Sequence, residues 1–250
     1  MKTLFSTFVV LAIFASCQRT ELVEFIESNN DSKLVLRRMS FDKLQDKDPL
    51  SEERYLYDAN GVLLKKEQWL SNPKQEFFLM RYDAYSYENQ KLIKVVTYYR
   101  NNEMDWKPAY EQEHIYDNET LVETKNFTYI TEGKKLKNRI LFTYKNGLKT
   151  EEKQLNGSDK LTQRSEFTYK DGKITTEKCY SADGKLFQFF EHTYQNEKLF
   201  QIAEYYSSPL QRASLHEFLY DSRGRLAAEI ARESSLLLCG PMPAIVRYAY

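Results

Sequence analysis

Glu166-Phe-Thr-Tyr-Lys-Asp-Gly-Lys-Ile-Thr-Thr-Glu-Lys-Cys-Tyr180 contains the unit from which the chain is built. A ring, Phe167, stands two residues before a tyrosine, Tyr169. A short polar turn, Lys170-Asp-Gly172, follows, and then a run rich in threonine and apolar residues from Ile174 to Tyr180. Asp-Gly between two such segments is a strong hairpin signal, because glycine adopts positive φ without steric cost. The stretch therefore reads as strand, β-turn, strand.

The ring-X-Tyr signature recurs at Tyr55-Leu-Tyr57, Tyr85-Ser-Tyr87, His114-Ile-Tyr116, Phe142-Thr-Tyr144, His192-Thr-Tyr194 and Phe218-Leu-Tyr220. With Tyr169 these make seven anchors, at Tyr57, Tyr87, Tyr116, Tyr144, Tyr169, Tyr194 and Tyr220, spaced 30, 29, 28, 25, 25 and 26 residues apart. A period of this size marks a repeat array. The turns come in a longer form, Asp58-Ala-Asn-Gly61 and Asp221-Ser-Arg-Gly224, and a shorter one, Lys145-Asn-Gly147 and Lys170-Asp-Gly172. At Glu88-Asn-Gln90, Asp117-Asn-Glu119 and Gln195-Asn-Glu197 the glycine is replaced, which leaves asparagine as the residue expected at positive φ.

Downstream strands are expected at Leu92 to Tyr99, Leu121 to Tyr129, Ile174 to Tyr180 and Leu199 to Tyr206. Flanking strands near Leu34 to Met39 and Ala244 to Tyr250 bring the total to about fifteen, set about 4.8 Å apart. No apolar 3.6-residue period persists, and Thr20 to Ser28 is the one short helix expected. The fold class is therefore all-β, an elongated and coiled antiparallel meander of about seven two-stranded repeats. A rolled or closed up-and-down barrel is the rival geometry, since open sheets rarely exceed about ten strands without curling.

The segments Tyr57-Asp-Ala-Asn-Gly-Val-Leu63 and Tyr220-Asp-Ser-Arg-Gly-Arg-Leu226 resemble the tyrosine-aspartate (YD, or Rhs-type) repeat. Tyr169-Lys-Asp-Gly-Lys-Ile174 is similar to shorter MORN-like repeats. The resemblance covers about residues 52 to 230 and implies a β-hairpin array that serves as a shell, scaffold or interaction surface.

At the N-terminus Lys2 precedes the apolar run Leu4 to Phe14, too short to span a bilayer, where about 20 apolar residues are needed. Residues 1–16 therefore read as an export signal. The exit Phe14-Ala-Ser-Cys17 is similar to the bacterial lipobox, which implies Cys17 as the lipid attachment site, with ordinary secretion as the alternative. Acylation with several chains anchors stably, so residues 17–32 form a lipidated tether and 33–250 a single repeat β-sheet domain. Gln18, in place of aspartate, favours the outer membrane of a Gram-negative cell and leaves open which side the domain faces.

Lysine plus arginine and aspartate plus glutamate are equal at 36 each, so there is no basic excess for nucleic acid. The alternating charges of Lys149-Thr-Glu-Glu-Lys153 read as a solvated face and as edge protection. Cys179 and Cys239 are expected as free, partly buried thiols rather than as a bridge.

His114, His192 and His216 all lie an even number of residues before an anchor tyrosine and so share a face. His114 and His192 occupy the ring position and read as ring substitutes; no metal site is expected. Glu113, Glu166, Glu191 and Glu217 recur at minus three, on the opposite face. Catalytic carboxylate pairs are singular rather than periodic, and no nucleophile elbow, phosphate loop or zinc spacing is present. No catalytic residue and no cofactor is expected. Trp69, Trp106 and Tyr110 lie in or near connections and are the candidate ligand contacts, since rings on a rigid sheet stack on sugars or dock partners. Ser234 to Ala244 breaks the pattern and reads as a terminal cap. These features lead to the expectation of a non-catalytic, membrane-anchored envelope lipoprotein acting as a scaffold or binding surface for protein or glycan. An envelope enzyme acting on carbohydrate, or a purely structural component, is the alternative.

Overall fold

The computed structural model describes residues 36–41, 48–72, 74, 76–100, 105–207, 210–233 and 245–250. The signal segment, Cys17, the tether, the Thr20 to Ser28 helix, Cys239 and the Ser234 to Ala244 cap lie outside the described residues.

Sixteen strands run in sequence: β1 Arg37–Phe41, β2 Ser51–Tyr57, β3 Leu63–Ser71, β4 Phe77–Glu88, β5 Lys91–Arg100, β6 Trp106–Asp117, β7 Thr120–Ile130 and β8 Gly133–Lys145, then β9 Leu148–Asn156, β10 Leu161–Lys170, β11 Lys173–Ser181, β12 Leu186–Gln195, β13 Lys198–Ser207, β14 Leu210–Tyr220, β15 Leu226–Glu233 and β16 Ile245–Ala249. Each pairs antiparallel with its chain neighbours, and β1 pairs with β16, so the sheet is a closed barrel. The expected open, coiled meander is corrected and its rival, the closed barrel, is what forms. No helix occurs among the described residues.

Closure follows from an eighth repeat. Tyr248-Ala-Tyr250 in the last strand repeats the ring-X-Tyr signature. Each even-numbered strand carries one copy and is paired with the odd strand that completes its hairpin; for β16 that strand is the N-terminal β1, with Arg37 opposite Ala249 and Phe41 opposite Ile245. An open sheet would leave two unpaired edges, and joining the chain's ends removes both.

Bulges supply the curvature. In the seven hairpins whose turn follows a ring-X-Tyr anchor, the register shifts immediately before the anchor, from Leu56/Tyr57 to Leu219/Tyr220. At Tyr169 the shift takes the pairing from Thr168 opposite Thr176 to Tyr169 opposite Ile174, so Thr175 is the extra residue. Six further shifts lie toward the other end, among them Gln68/Trp69 and Asn126/Phe127. Each bulge bends the sheet and increases its twist, so the increments accumulate until the ends meet.

The anchors then lock neighbouring hairpins together. Tyr116 donates to the Leu92 carbonyl at 3.1 Å, Tyr169 to Lys149 at 2.7 Å, Tyr220 to Leu199 at 2.8 Å and Tyr250 to Leu226 at 2.8 Å. Every acceptor lies just past the turn of the preceding hairpin. A cation often covers the ring as well: Lys198 lies 4.9 Å from the Tyr220 centroid and Arg225 4.4 Å from that of Tyr250. Where the seam closes, Met39, Phe41, Ala228, Ile230 and Ile245 form a buried apolar cluster, with Leu219 and Ala249 packed against it. Its burial stabilises closure at roughly 25 cal/mol per Å² of apolar surface removed from water.

Away from the seam both faces of the wall carry charge; at the seam the apolar cluster lies on the face of Glu52 and Glu217. On one, β5 to β10 carry Lys94, Glu113, Lys125, Arg139, Lys153 and Arg164; the other carries Arg81, Asp83, Glu177, His216 and Glu229. A bilayer-spanning barrel needs an apolar outer band, and each Arg or Lys at the bilayer midplane costs about 2–4 kcal/mol. Away from the seam, neither face offers that band among the described residues.

Candidate luminal binding site

Register divides the side chains cleanly. Arg81 pairs with Tyr99, Asp83 with Thr97, Tyr85 with Val95, Val95 with Gln112 and Gln112 with Asn126, so these residues share one face across β4 to β7. Six consecutive strands, β3 to β8, bring that face together around a concave pocket of about 590 Å³. In a closed barrel the concave side is the lumen, which makes this the luminal face.

The pocket has three kinds of wall. A chain of amides crosses three strands: Gln112 Nε2 donates to Asn126 Oδ1 at 2.9 Å and Asn126 Nδ2 to Asn138 Oδ1 at 2.6 Å. Tyr110, 45% exposed, lies at the rim, edge-on to Tyr99 with centroids 6.2 Å apart. Lys66, Arg81 and Lys137 bring positive charge. Lys66 is held by Asp83 at 3.2 Å and Glu53 at 3.8 Å. Arg81 donates from Nη1 to Tyr99 Oη at 3.1 Å. Lys137 is the extra residue of the Asn126/Phe127 bulge, and its ammonium lies 6.0 Å from the Tyr110 ring.

Three buried polar atoms at or beside this face have no hydrogen-bond partner: Arg81 Nε, His114 Nε2 and Gln68 Oε1. Gln68 stands directly opposite Arg81. Arg81 and His114 line the pocket and Gln68 does not, while His192 Nε2 is likewise unpartnered elsewhere on this face; each such atom costs about 1–3 kcal/mol. Burial also raises the Tyr85 phenol to about 12 and lowers the His114 imidazole, which keeps both neutral near pH 7.

The candidate contacts do not stay together. Tyr110 lines the lumen, whereas Trp69 and Trp106 stand on the outer face. There Tyr82 stacks on Tyr98 at 4.8 Å and meets Trp106 edge-on at 4.9 Å. Trp69 lies under the Arg54 guanidinium at 4.3 Å and donates to Glu67 at 3.1 Å, so its ring is occupied by its own neighbours.

His114, His192 and His216 do share the luminal face. Their roles differ: His114 Nδ1 meets Thr124 Oγ1 at 3.0 Å, whereas His216 Nδ1 meets Glu229 Oε1 at 2.9 Å. No group of metal-ligating side chains converges among the described residues. Glu113, Glu166 and Glu217 are tied on the outer face to Lys134, Arg164 and Arg232 respectively, and Glu191 to Tyr205. None of the four lines the pocket. Cys179 is free and buried, with Ser165 Oγ at 3.4 Å, and burial pushes its thiol pKa up.

Arg81, Lys137 and the three amides were not among the candidates read from sequence. A faint signal existed, since Gln112 and Asn138 precede their anchors, Tyr116 and Tyr144, by even numbers and so fall on the ring face.

No protein-family profile matches the chain, and no curated protein matches it in sequence. Among solved structures it is similar to a protein of unknown function from Bacteroides fragilis NCTC 9343, at 13% identity over 63% of this chain and 94% of that one, with a TM-score of 0.28. A porin-like protein from Bacteroides uniformis ATCC 8492 matches at 12% identity over 85% and 94%, with a TM-score of 0.39. The TcdB2-TccC3 structure matches at 12% identity over 75% of this chain and 12% of that one, with a TM-score of 0.23. Likeness at this level carries no functional inference.

Proposed function

We propose that the protein is a non-catalytic envelope lipoprotein whose barrel is a rigid receptacle for a hydroxyl-rich ligand, a glycan, bound in the lumen. The observation that carries this reading is the pocket itself: amides on a fixed wall, an exposed ring at the rim and buried polar atoms without partners, with the carboxylates Asp83 and Glu53 both engaged by Lys66. Amide side chains both donate and accept, as sugar hydroxyls do, and an aromatic face packs against the apolar face of a pyranose. The hairpins are of the YD and MORN-like kind, used here to build a wall.

Attachment to the outer membrane runs through lipid on Cys17 rather than through the barrel. The charged outer face supports this division of labour, because a wall that excludes lipid leaves membrane attachment to the tether. Two measurements test the reading. Screening the detergent-solubilised full-length protein against a glycan array should give saccharide binding that Tyr110→Ala weakens; blanks throughout would overturn the receptacle. Cys17→Ala should move the protein out of the detergent phase, and unchanged partitioning would remove the anchor.

A further inference from the structure

We infer that the luminal pocket is selective for an acidic saccharide, a sugar bearing a carboxylate, rather than a neutral one. The inference rests on the receptacle reading and deepens it.

The argument starts from charge balance inside the wall. Lys66, Arg81 and Lys137 line the pocket. Of the three carboxylates beside them, Asp83 and Glu53 both answer Lys66, whereas Glu111, which also lines the pocket, is engaged by Tyr129, which donates to it at 2.6 Å, and by Lys134. That leaves Lys137 without a carboxylate, and Arg81 in the field of Asp83 and Glu53 but with neither of them on its Nε. Lys137 makes no ion pair among the described residues and is held out of the ladder by the bulge. Arg81 has one arm committed to Tyr99, while its buried Nε has no partner.

A buried guanidinium nitrogen with no acceptor is costly unless something fills the place. A carboxylate fills it best, since charge-assisted bonds are roughly twice as strong as neutral ones. The rest of the pocket is not suited to a bare anion. Gln112, Asn126 and Asn138 already satisfy one another in a line, so the line ends in one amide oxygen and one amide nitrogen available to neutral hydroxyls. Tyr110 adds a ring face at the rim. An anion alone would use Arg81 and Lys137 and leave the amides and the ring idle; a neutral sugar would use the amides and the ring and leave Arg81 Nε unmet. A uronic acid oligosaccharide that spans β4 to β8, four spacings of about 4.8 Å, with a carboxylate at Arg81, uses all of them.

The test is titration calorimetry on the full-length protein in detergent with three probes: an oligosaccharide of glucuronic acid, its carboxyl-reduced neutral counterpart, and inorganic phosphate. The uronide should bind at least about tenfold more tightly than either of the others, the factor expected for one charge-assisted bond. Lys137→Gln and Arg81→Gln should each remove most of that preference, whereas Tyr110→Ala should weaken both saccharides alike. Lys137 is at a bulge, so its substitution tests the inference even if Arg81→Gln fails to fold. Equal affinity for the neutral and acidic sugars would overturn the acid selectivity and leave the glycan receptacle standing. Phosphate binding as tightly as the uronide would overturn the saccharide part of the inference. No binding of either sugar would overturn both readings.

Discussion

The Tyr250 phenol donates to the Leu226 carbonyl across 2.8 Å, the bond that Tyr220 makes to Leu199 across the same distance one repeat earlier. The last residue of the chain thus acts as the eighth anchor of a ring whose first strand is N-terminal. The two ends close the barrel jointly, with β16 holding β15 on one side and β1 on the other.

If the phenol bonds are equivalent, Tyr250→Phe should cost about 1 kcal/mol in urea unfolding, the net worth of one such hydrogen bond. Tyr220→Phe should cost the same. A silent Tyr250→Phe beside a costly Tyr220→Phe would show that the last repeat contributes nothing to closure. Tyr169→Ala removes the ring as well and should cost about 3–5 kcal/mol, as for a packed aromatic.

The turn at Glu88 to Gln90 holds two side-chain-bearing residues at positive φ, Asn89 at 48° and Gln90 at 64°. The shorter glycine turns put Gly147 and Gly172 at the second of these places, at 77° and 74°. Gln90→Gly relieves a left-handed penalty of about 1–2 kcal/mol and adds the chain entropy of glycine. The net is a gain of about 0.5–1 kcal/mol, read as a rise of about 1–4 °C in melting temperature. A fall would mean that Gln90 sits there without strain.

His216 and Glu229 give the barrel a pH signature. The hydrogen bond to Glu229 raises the His216 pKa, and the same bond lowers that of Glu229. A raised histidine stabilises fully below its unfolded value, about 6.5, and loses that contribution as pH rises through the folded value. A lowered carboxylate stabilises above its unfolded value, about 4.3, and loses that contribution as pH falls through the folded one. The pair therefore contributes most between about pH 4.5 and 6.5. His216→Gln should lower the melting temperature near pH 5.5 and have little effect near pH 8; an equal deficit at both would exclude a charged pair.

On the outer face at the seam, Glu52 is 1% exposed and held by Arg37 and by Arg54, the latter at 2.9 Å. Glu52→Gln keeps the shape and removes the charge. It should cost about 1–3 kcal/mol, as for a buried hydrogen bond to a charged group. Glu151→Gln, in a more exposed pair with Lys153, should cost about 0–1 kcal/mol. Equal losses would show that burial of Glu52 adds nothing to its pairing.

Much of the wall was legible along the chain because hairpin chemistry is local. Asn146-Gly147 and Asp171-Gly172 all take the positive φ expected of them, and the strand expected at Leu92 to Tyr99 forms as Lys91–Arg100. The turns without glycine form at the expected places, and Gln90 and Glu197 join their asparagines at positive φ, which residue type alone does not indicate. The candidate site was barely legible. Trp69, Trp106 and Tyr110 all lie near connections, but bulges such as Gln68/Trp69 and Thr97/Tyr98 change the register between a residue's position in the chain and the face it occupies. One such slip moves a ring from lumen to exterior.

The amino-acid sequence by itself determined the repeating hairpin, because ring-X-Tyr, a turn residue and an alternating strand act within about 25 residues and need no distant partner. Tertiary structure alone decided that the sheet closes, that Tyr248-Ala-Tyr250 completes the array with a strand from the other end of the chain, and that Arg81, Lys137 and three amides meet in one pocket. The reason is physical: twist and bulge curvature accumulate over sixteen strands, and only their sum determines whether the edges meet and which side chains face the enclosed space.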